Sequence, residues 1–392
     1  MNQKLGPQAA DLDRYVGDSP VMQALEAWAQ DRSLAVEVPS VPWRRRGGSG
    51  ALLVRLRVRS SRRIAKPTDM LMKICARGSP ANEPANHERA WLHAPAFAGQ
   101  HLFMQVFPSV ELDDGRTLMF LESPQAFSDA RTLGELPAAL QADGAGATIR
   151  LVFQEWNKPS SLRRITTSAR SFLHLELGCL SQEKDSARTW SCHVCPPFVE
   201  TDAPDLRVQG NLLPSRLIQR LMSNFHLRDR SIEYVAGHSH GDLHLNNIIV
   251  RPTIGPEVSF HNIRLIDLSG YSPSAPLSRD LAALLLSSVL STVRNGMPDS
   301  QSQALIHALV TENPTSLAAY RSAATATVQA IRSAALRSLD SHHRRIFHEQ
   351  YLLSLLSQAI LHTSYSNVGR SGHRWYLTLG ISAADAFFGR TS

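Results

Sequence analysis

Residues 238–250 read HSHGDLHLNNIIV, with three histidines, one aspartate and two asparagines in ten positions before the chain turns apolar. Polar chemistry this dense, run straight into a buried-strand pattern, limits the fold to one that holds such a loop at the end of a strand. Three readings fit it. Alternating His238, His240, Asp242 and His244 on an extended strand would share one face and make a metal site. A plain polar turn would use Asn246 and Asn247 for left-handed backbone. Third, His240-Gly-Asp242 with Asn247 five residues on, followed by an apolar strand, a turn and a second strand ending in Asp267, makes a phosphotransfer loop. That chemistry needs a carboxylate to orient an acceptor hydroxyl and oxygen ligands to hold Mg²⁺ against phosphates. Asp242 suits the first task, and Asn247 and Asp267 the second.

What precedes the loop decides among them. SPVMQALEAWAQ (19–30) has helical spacing behind a capping serine. WRRRGGSGALLVRLRV (43–58) reads as strand, glycine turn, strand, and DMLMKICA (69–76) as a strand. NEPANHERAWLHA (82–94) reads as a helix, and 102–123 as a hairpin turned by Asp-Asp-Gly. The order predicts an α+β unit over 1–123. Residues 124–392 read as a mainly helical second domain, with helical patterns at 159–180 and 214–225 and helices at 279–293, 315–338, 341–362 and 373–388. The formal charge of +7 comes almost wholly from arginine. The chain has five lysines, at 4, 66, 73, 158 and 184, so one inside the apolar strand LMKI stands out.

Read together, HGDLHLNNIIV, IRLIDLSGY and SRDLA resemble the aminoglycoside phosphotransferase and choline kinase family of the protein-kinase-like fold. They also resemble the phosphotransferase-like domains of bacterial conflict systems. The resemblance covers 43–123 and 236–285 motif by motif. It implies a bilobal kinase-like fold, with a small antiparallel-sheet lobe and a mainly helical large lobe, and ATP- and Mg²⁺-dependent transfer of a γ-phosphoryl group to an acceptor hydroxyl.

The roles follow residue by residue. Gly47, Gly48, Ser49 and Gly50 form the loop whose backbone approaches the phosphates. Lys73 meets the α- and β-phosphates, and Glu88 on the next helix fixes its rotamer. Leu121, Glu122 and Ser123 end the first lobe where kinases place the adenine-binding hinge. Asp242 is the catalytic carboxylate, His240 supports its loop, Asn247 and Asp267 hold Mg²⁺, and Asp280 in RDLA is structural. Singly these residues also read as a flexible turn, a snorkelling lysine and a solvated helix glutamate. Their order along the chain makes the signal.

Departures from the pattern bound the reading. The nucleotide loop is short, Asp267 is followed by Leu-Ser-Gly without the phenylalanine of protein kinases, and no GxxxxGK[ST] occurs. The acceptor stays open among a small molecule, a protein side chain and a nucleic acid end. Polycationic acceptors would call on Glu176, Glu183, Asp185, Glu200, Asp202 and Asp205. A silent nucleotide-binding module serving as sensor or scaffold, with a protein partner, is the competing class. His174, Cys179, Cys192 and Cys195 have spacing that could hold zinc, with His193 as a spare. No apolar run spans a bilayer and no leader precedes the first helix, so a cytoplasmic, membrane-free protein is expected.

Overall fold

The computed structural model describes residues 7–40, 42–46, 51–60, 67–75, 83–123, 131–177, 207–208, 211–212, 230–251, 260, 262–311, 322–363 and 365–388. Two compact units emerge. The first runs Met1–Arg131 and also takes in Ile249–Gly255 and His261–Ser269. The second comprises Thr132–Ile248, Pro256–Phe260 and Gly270–Ser392.

The first unit is an antiparallel sheet with helices. Strands β1 (Leu34–Glu37), β2 (Arg44–Arg46), β3 (Leu52–Ser60), β4 (Thr68–Cys75), β5 (Gln105–Glu111) and β6 (Thr117–Glu122) pair in the order β1-β3-β4-β6-β5, with β2 on β3. Alternation along β4 sorts its side chains. Met70, Met72 and Ile74 join the core made with helices α1 (Pro7–Val16) and α2 (Ser19–Asp31), where Trp28 stacks on Phe120 at 4.2 Å between centroids. Leu71 and Cys75 take the other face, in a cluster with Leu53, Met119, Leu121 and Ile249. Lys73 lies between Leu71 and Cys75, paired in register with Leu53 and Met119. The cap of α2 is Asp18, whose carboxylate accepts from the Val21 N–H at 3.2 Å; the serine expected there is the first helical residue.

Helices α3 (Glu83–His93) and α4 (Pro95–His101) follow β4. Segment 261–269 is fastened to this unit by backbone and side chains together. Leu102 bridges Leu265, the Arg264 guanidinium donates to the Leu102 carbonyl, and the His101 ring meets the Ile263 carbonyl at 3.0 Å.

In the second unit, α5 (Ala138–Leu151) runs into a π-helical turn at Val152–Trp156. Strands β7 (Arg163–Ser168), β8 (Ser231–Ser239) and β9 (Ser272–Pro276) form an antiparallel sheet with β8 in the middle. The helix expected over 159–180 is found only in part. Its first stretch is β7, because Ile165, Thr166 and Thr167 branch at Cβ and pair with Tyr234, Glu233 and Ile232, and the helix α6 begins only at Ala169 and ends at Glu176. The remaining helices among the described residues are α7 (Ser278–Arg294), α8 (Asp299–Val310), α9 (Ala323–Ser338), α10 (Ser341–Thr363) and α11 (Gly369–Phe388). α5 packs on α9, and α10 on α11. The expected class is therefore found: an α+β chain with its antiparallel sheet in the N-terminal part and helices dominating the rest. Among the described residues no helix is long and apolar enough to cross a membrane.

Candidate active site

The first unit builds one buried ionic group. Lys73, only 6% exposed, points from the middle of the sheet toward α3, and both carboxylate oxygens of Glu83 reach its ammonium, at 2.8 and 2.6 Å. Asp267 Oδ1 completes the group at 3.0 Å from Nζ. Burial alone would push the lysine toward neutrality, but Glu83 and then Asp267 outweigh it, so Lys73 is held above its ordinary value and stays charged. The Cys75 thiol, also buried, lies 3.7 Å from Glu83 and is pushed up to about 12, first by burial and then by that carboxylate. His87, one turn beyond Glu83, donates from Nε2 to the Phe103 carbonyl at 2.7 Å; burial drops it to about 4, so its ring is neutral.

The partner of Lys73 is thus Glu83 and not Glu88, which is exposed. Helical geometry explains the correction. Residues 83, 87 and 90 share the buried face of α3, whereas five residues of helix turn Glu88 away from it. The apolar company of Glu88 in HERAWL misleads, since Leu92 is itself 71% exposed.

Asp267 has left-handed backbone, φ 67°, which is uncommon and costly for a residue with a Cβ. Ser269, two residues on, takes a hydrogen bond from the Asn86 side chain at 2.7 Å, anchoring this segment to α3.

At the hinge positions, Leu121 is buried in the apolar cluster. The Glu122 N–H donates to the Met104 carbonyl at 2.8 Å, and its carboxylate accepts from the Met104 N–H at 3.2 Å. Ser123 is buried, and its hydroxyl has no hydrogen-bond partner among the described residues. Gly47, Gly48, Ser49 and Gly50 lie outside the described residues, though the strands they connect, β2 and β3, pair as a hairpin.

The second unit builds the polar loop. Asp280, at the start of α7 and 2% exposed, holds it from below: its carboxylate accepts from Ser239 Oγ at 2.9 Å, the His240 N–H at 2.7 Å and the Gly241 N–H at 3.0 Å. Gly241 has φ 84°, and a Cβ there would overlap the Gly270 carbonyl. The Asn247 amide donates to the Asp242 carbonyl at 2.9 Å, which closes the loop and leaves the Asn247 side-chain oxygen as an acceptor. His240 is fully buried, with Nδ1 3.4 Å from the Asp242 N–H. The Asp242 carboxylate is half-exposed, and His244 Nε2 lies 3.8 Å from it. Asn157, which sequence reasoning passed over, clamps the strand leading into the loop: its amide accepts from the His238 N–H at 2.7 Å and donates to the His238 carbonyl at 2.8 Å.

Among the described residues no group of three or more His, Cys, Asp or Glu side chains is placed to hold a metal ion, so the alternating histidines do not form a cage. His174 is exposed on α6. Cys179, Cys192 and Cys195 lie outside the described residues, as do Glu183, Asp185, Glu200, Asp202 and Asp205. Glu176 is buried and accepts from Arg279 at 2.7 Å.

No family model and no curated protein matches the chain. Solved structures do, at low identity. A glucosamine kinase in complex with glucosamine, ADP and inorganic phosphate is 13% identical over 96% of this chain and 88% of its own, with a TM-score of 0.42. An aminoglycoside-3'-phosphotransferase of type VIII is 18% identical over 86% and 100%, with a TM-score of 0.38. A spectinomycin phosphotransferase in complex with ADP and spectinomycin is 11% identical over 93% and 97%, with a TM-score of 0.34. Likeness at this level leaves the chemistry to be judged from this chain's own side chains.

Proposed function

We propose that the protein is a phosphotransferase of the aminoglycoside phosphotransferase-like kind, moving the γ-phosphoryl group of ATP to an acceptor hydroxyl with the help of Mg²⁺. The observation that carries this is the Lys73 group. A structural lysine needs one carboxylate, and here Glu83 already supplies both its oxygens. Adding Asp267 leaves a surplus of negative charge around one buried ammonium, on an apolar strand, with strained backbone at the third member. Such a surplus fits a cation that arrives with phosphates.

Each unit offers an oxygen ligand of the kind that cation takes. Asp267 offers a carboxylate and Asn247 an amide oxygen, the hard oxygen ligands that suit Mg²⁺. Bound Mg²⁺ would offset charge on the phosphate oxygens. Lys73 adds a fixed positive charge for the phosphates, held in place by Glu83. The buried Ser123 hydroxyl, without a partner among the described residues, is a group on which a nucleobase edge can be read. Asp242, half-exposed on a loop whose backbone Asp280 immobilises, orients the acceptor hydroxyl. As its oxygen bonds to phosphorus and the bond to the leaving ADP breaks, the hydroxyl proton passes to the carboxylate. His240, fully buried, stiffens the loop.

The test is ATP consumption with Mg²⁺ in wild type, Asp242→Ala and Lys73→Met, beside nucleotide binding by thermal shift. Turnover lost in Asp242→Ala with binding kept supports the reading. Binding without turnover in any of the three proteins would make the chain a silent nucleotide-binding module acting as sensor or scaffold, and no binding at all would overturn both.

A further inference from the structure

The buried ionic group closes a ring of contacts, and one member of that ring carries no charge. Helix α3 presents Glu83 to the Lys73 ammonium. One turn further along the same helix, Asn86 Nδ2 donates to the Ser269 carbonyl at 2.7 Å. Ser269 lies two residues after Asp267, whose Oδ1 returns to Lys73 Nζ at 3.0 Å. Residues three apart on a helix stand one above the other, so a single turn of α3 holds both the first carboxylate of the lysine and the segment that carries the second. The Asn86 amide is itself oriented: its oxygen accepts from the Arg89 guanidinium at 3.3 Å, which leaves the nitrogen for Ser269.

Asp267 needs such support. Its φ of 67° is a conformation that a residue with a Cβ leaves unless its surroundings hold it there. On the N-terminal side the chain is fastened at residues 263 to 265, where the His101 ring meets the Ile263 carbonyl at 3.0 Å, Arg264 reaches the Leu102 carbonyl and Leu265 bridges Leu102. On the C-terminal side Asn86 fastens Ser269, and the intervening Leu268 is buried. Asp267 is thus spanned by anchors two residues to either side, and a backbone rotation that carried its carboxylate away from Lys73 would strain them. The Asn86 bond is the anchor that one substitution removes without touching a charge.

An asparagine on a helix surface ordinarily bonds to water or to its own helix. Asn86 is half-buried and spends its donor on a residue 183 positions away in sequence. That is the behaviour of a clamp.

We propose that Asn86 is a positioning residue: its hold on the Ser269 carbonyl keeps Asp267 in left-handed backbone with the carboxylate at Lys73, and so prepares an oxygen ligand for the cation before any nucleotide arrives. This rests on the phosphotransfer reading for the cation, while the hold itself is tested without nucleotide. Ligand-free wild type, Asn86→Ala and Asn86→Asp are compared by hydrogen exchange with mass spectrometry. Alanine raises the helix propensity of α3, and aspartate keeps the side-chain shape without its donor, so both variants should fold. The expected result is exchange at least tenfold faster over 266–270 in both variants, with β4 and β6 unchanged. ATP affinity, read by calorimetry, should fall at least fivefold in Asn86→Ala with Mg²⁺ present and stay within twofold in EDTA. In an Asp267→Asn background Asn86→Ala should weaken it no further. Unchanged exchange over 266–270, or equal acceleration throughout α3, β4 and β6, overturns the proposal. So does a loss of Mg²⁺-dependent affinity on Asn86→Ala that is as large in the Asp267→Asn background as in wild type. Absence of ATP binding by wild type would sink the phosphotransfer reading instead, and the exchange comparison still decides the role of Asn86.

Discussion

Glu83 holds the Lys73 ammonium with both carboxylate oxygens, whereas Glu88, five residues along the same helix, faces solvent. Without Glu83 the Lys73 ammonium keeps only Asp267, and the charge-assisted bonds lost contribute about 1.5–3 kcal/mol. Glu83→Gln is expected to lower unfolding free energy by that order in urea titrations and to cut ATP turnover at least tenfold. Glu88→Gln should leave both within error, and equal effects of the two changes would contradict the assignment.

Asp280 takes three hydrogen bonds from the polar loop with a buried carboxylate. Charge-assisted bonds of this kind contribute about 1.5–3 kcal/mol each, and they are not additive. Asp280→Ala should therefore cost about 3–5 kcal/mol. Hydrogen exchange should show Ser239 to Gly241 opening, and turnover should fall even under conditions where the protein stays folded.

Gly241 and Gly296 share the same left-handed backbone, φ 84° and 82°, in different surroundings. A Cβ at Gly296 meets nothing within 4 Å, so Gly296→Ala isolates the backbone penalty of about 1–2 kcal/mol. Gly241→Ala adds an overlap with the Gly270 carbonyl and should cost about 2 kcal/mol more, with turnover abolished. Matching melting temperatures for the two variants would count against this loop geometry.

His87 and His362 are both buried and neutral, each with its pKa lowered from 6.5 to about 4 by burial. Because the unfolded chain takes up these protons first, the stability they allow is intact above about pH 6.5 and is lost as pH falls toward 4. Each should remove about 2 kcal/mol by pH 5. Chemical denaturation between pH 7 and pH 5 should show the decline, and His87→Gln should flatten it. A stability that rises over that interval would exclude neutral buried rings.

Much of this was legible in the residues themselves. The apolar run LMKI placed Lys73 inside a strand, and the scarcity of lysine made it conspicuous. The spacing from His240 to Asn247 marked the loop. What escaped did so for physical reasons. Periodicity identified α3 as a helix without fixing which glutamate faces inward, a choice made by its packing against β4. α5 carries Gly144 and Gly146, residues of low helix propensity, and no helix was expected over that stretch. In the structure they serve close packing instead, Gly146 against the Ala330 carbonyl and Gly144 under the Leu133 side chain. Asp18 and Ser19 are both good caps, and sequence alone does not choose between them. A cut at residue 123 treats the chain as two contiguous stretches, whereas contacts made by Ile249, Ile263 and Leu265 carry their segments back into the first unit.

That return of the chain sets a timetable. Residue 267 leaves the ribosome nearly two hundred residues after Lys73, so the sheet is synthesised long before the second carboxylate of its central ion group exists. Through most of translation the lysine has Glu83 alone, and a nascent chain stalled before residue 261 would carry a first unit still missing the strand it pairs at Leu102. Any fragment meant to report on nucleotide binding must therefore extend past Ser269, and expression of the N-terminal third by itself should yield a polypeptide that aggregates or is degraded.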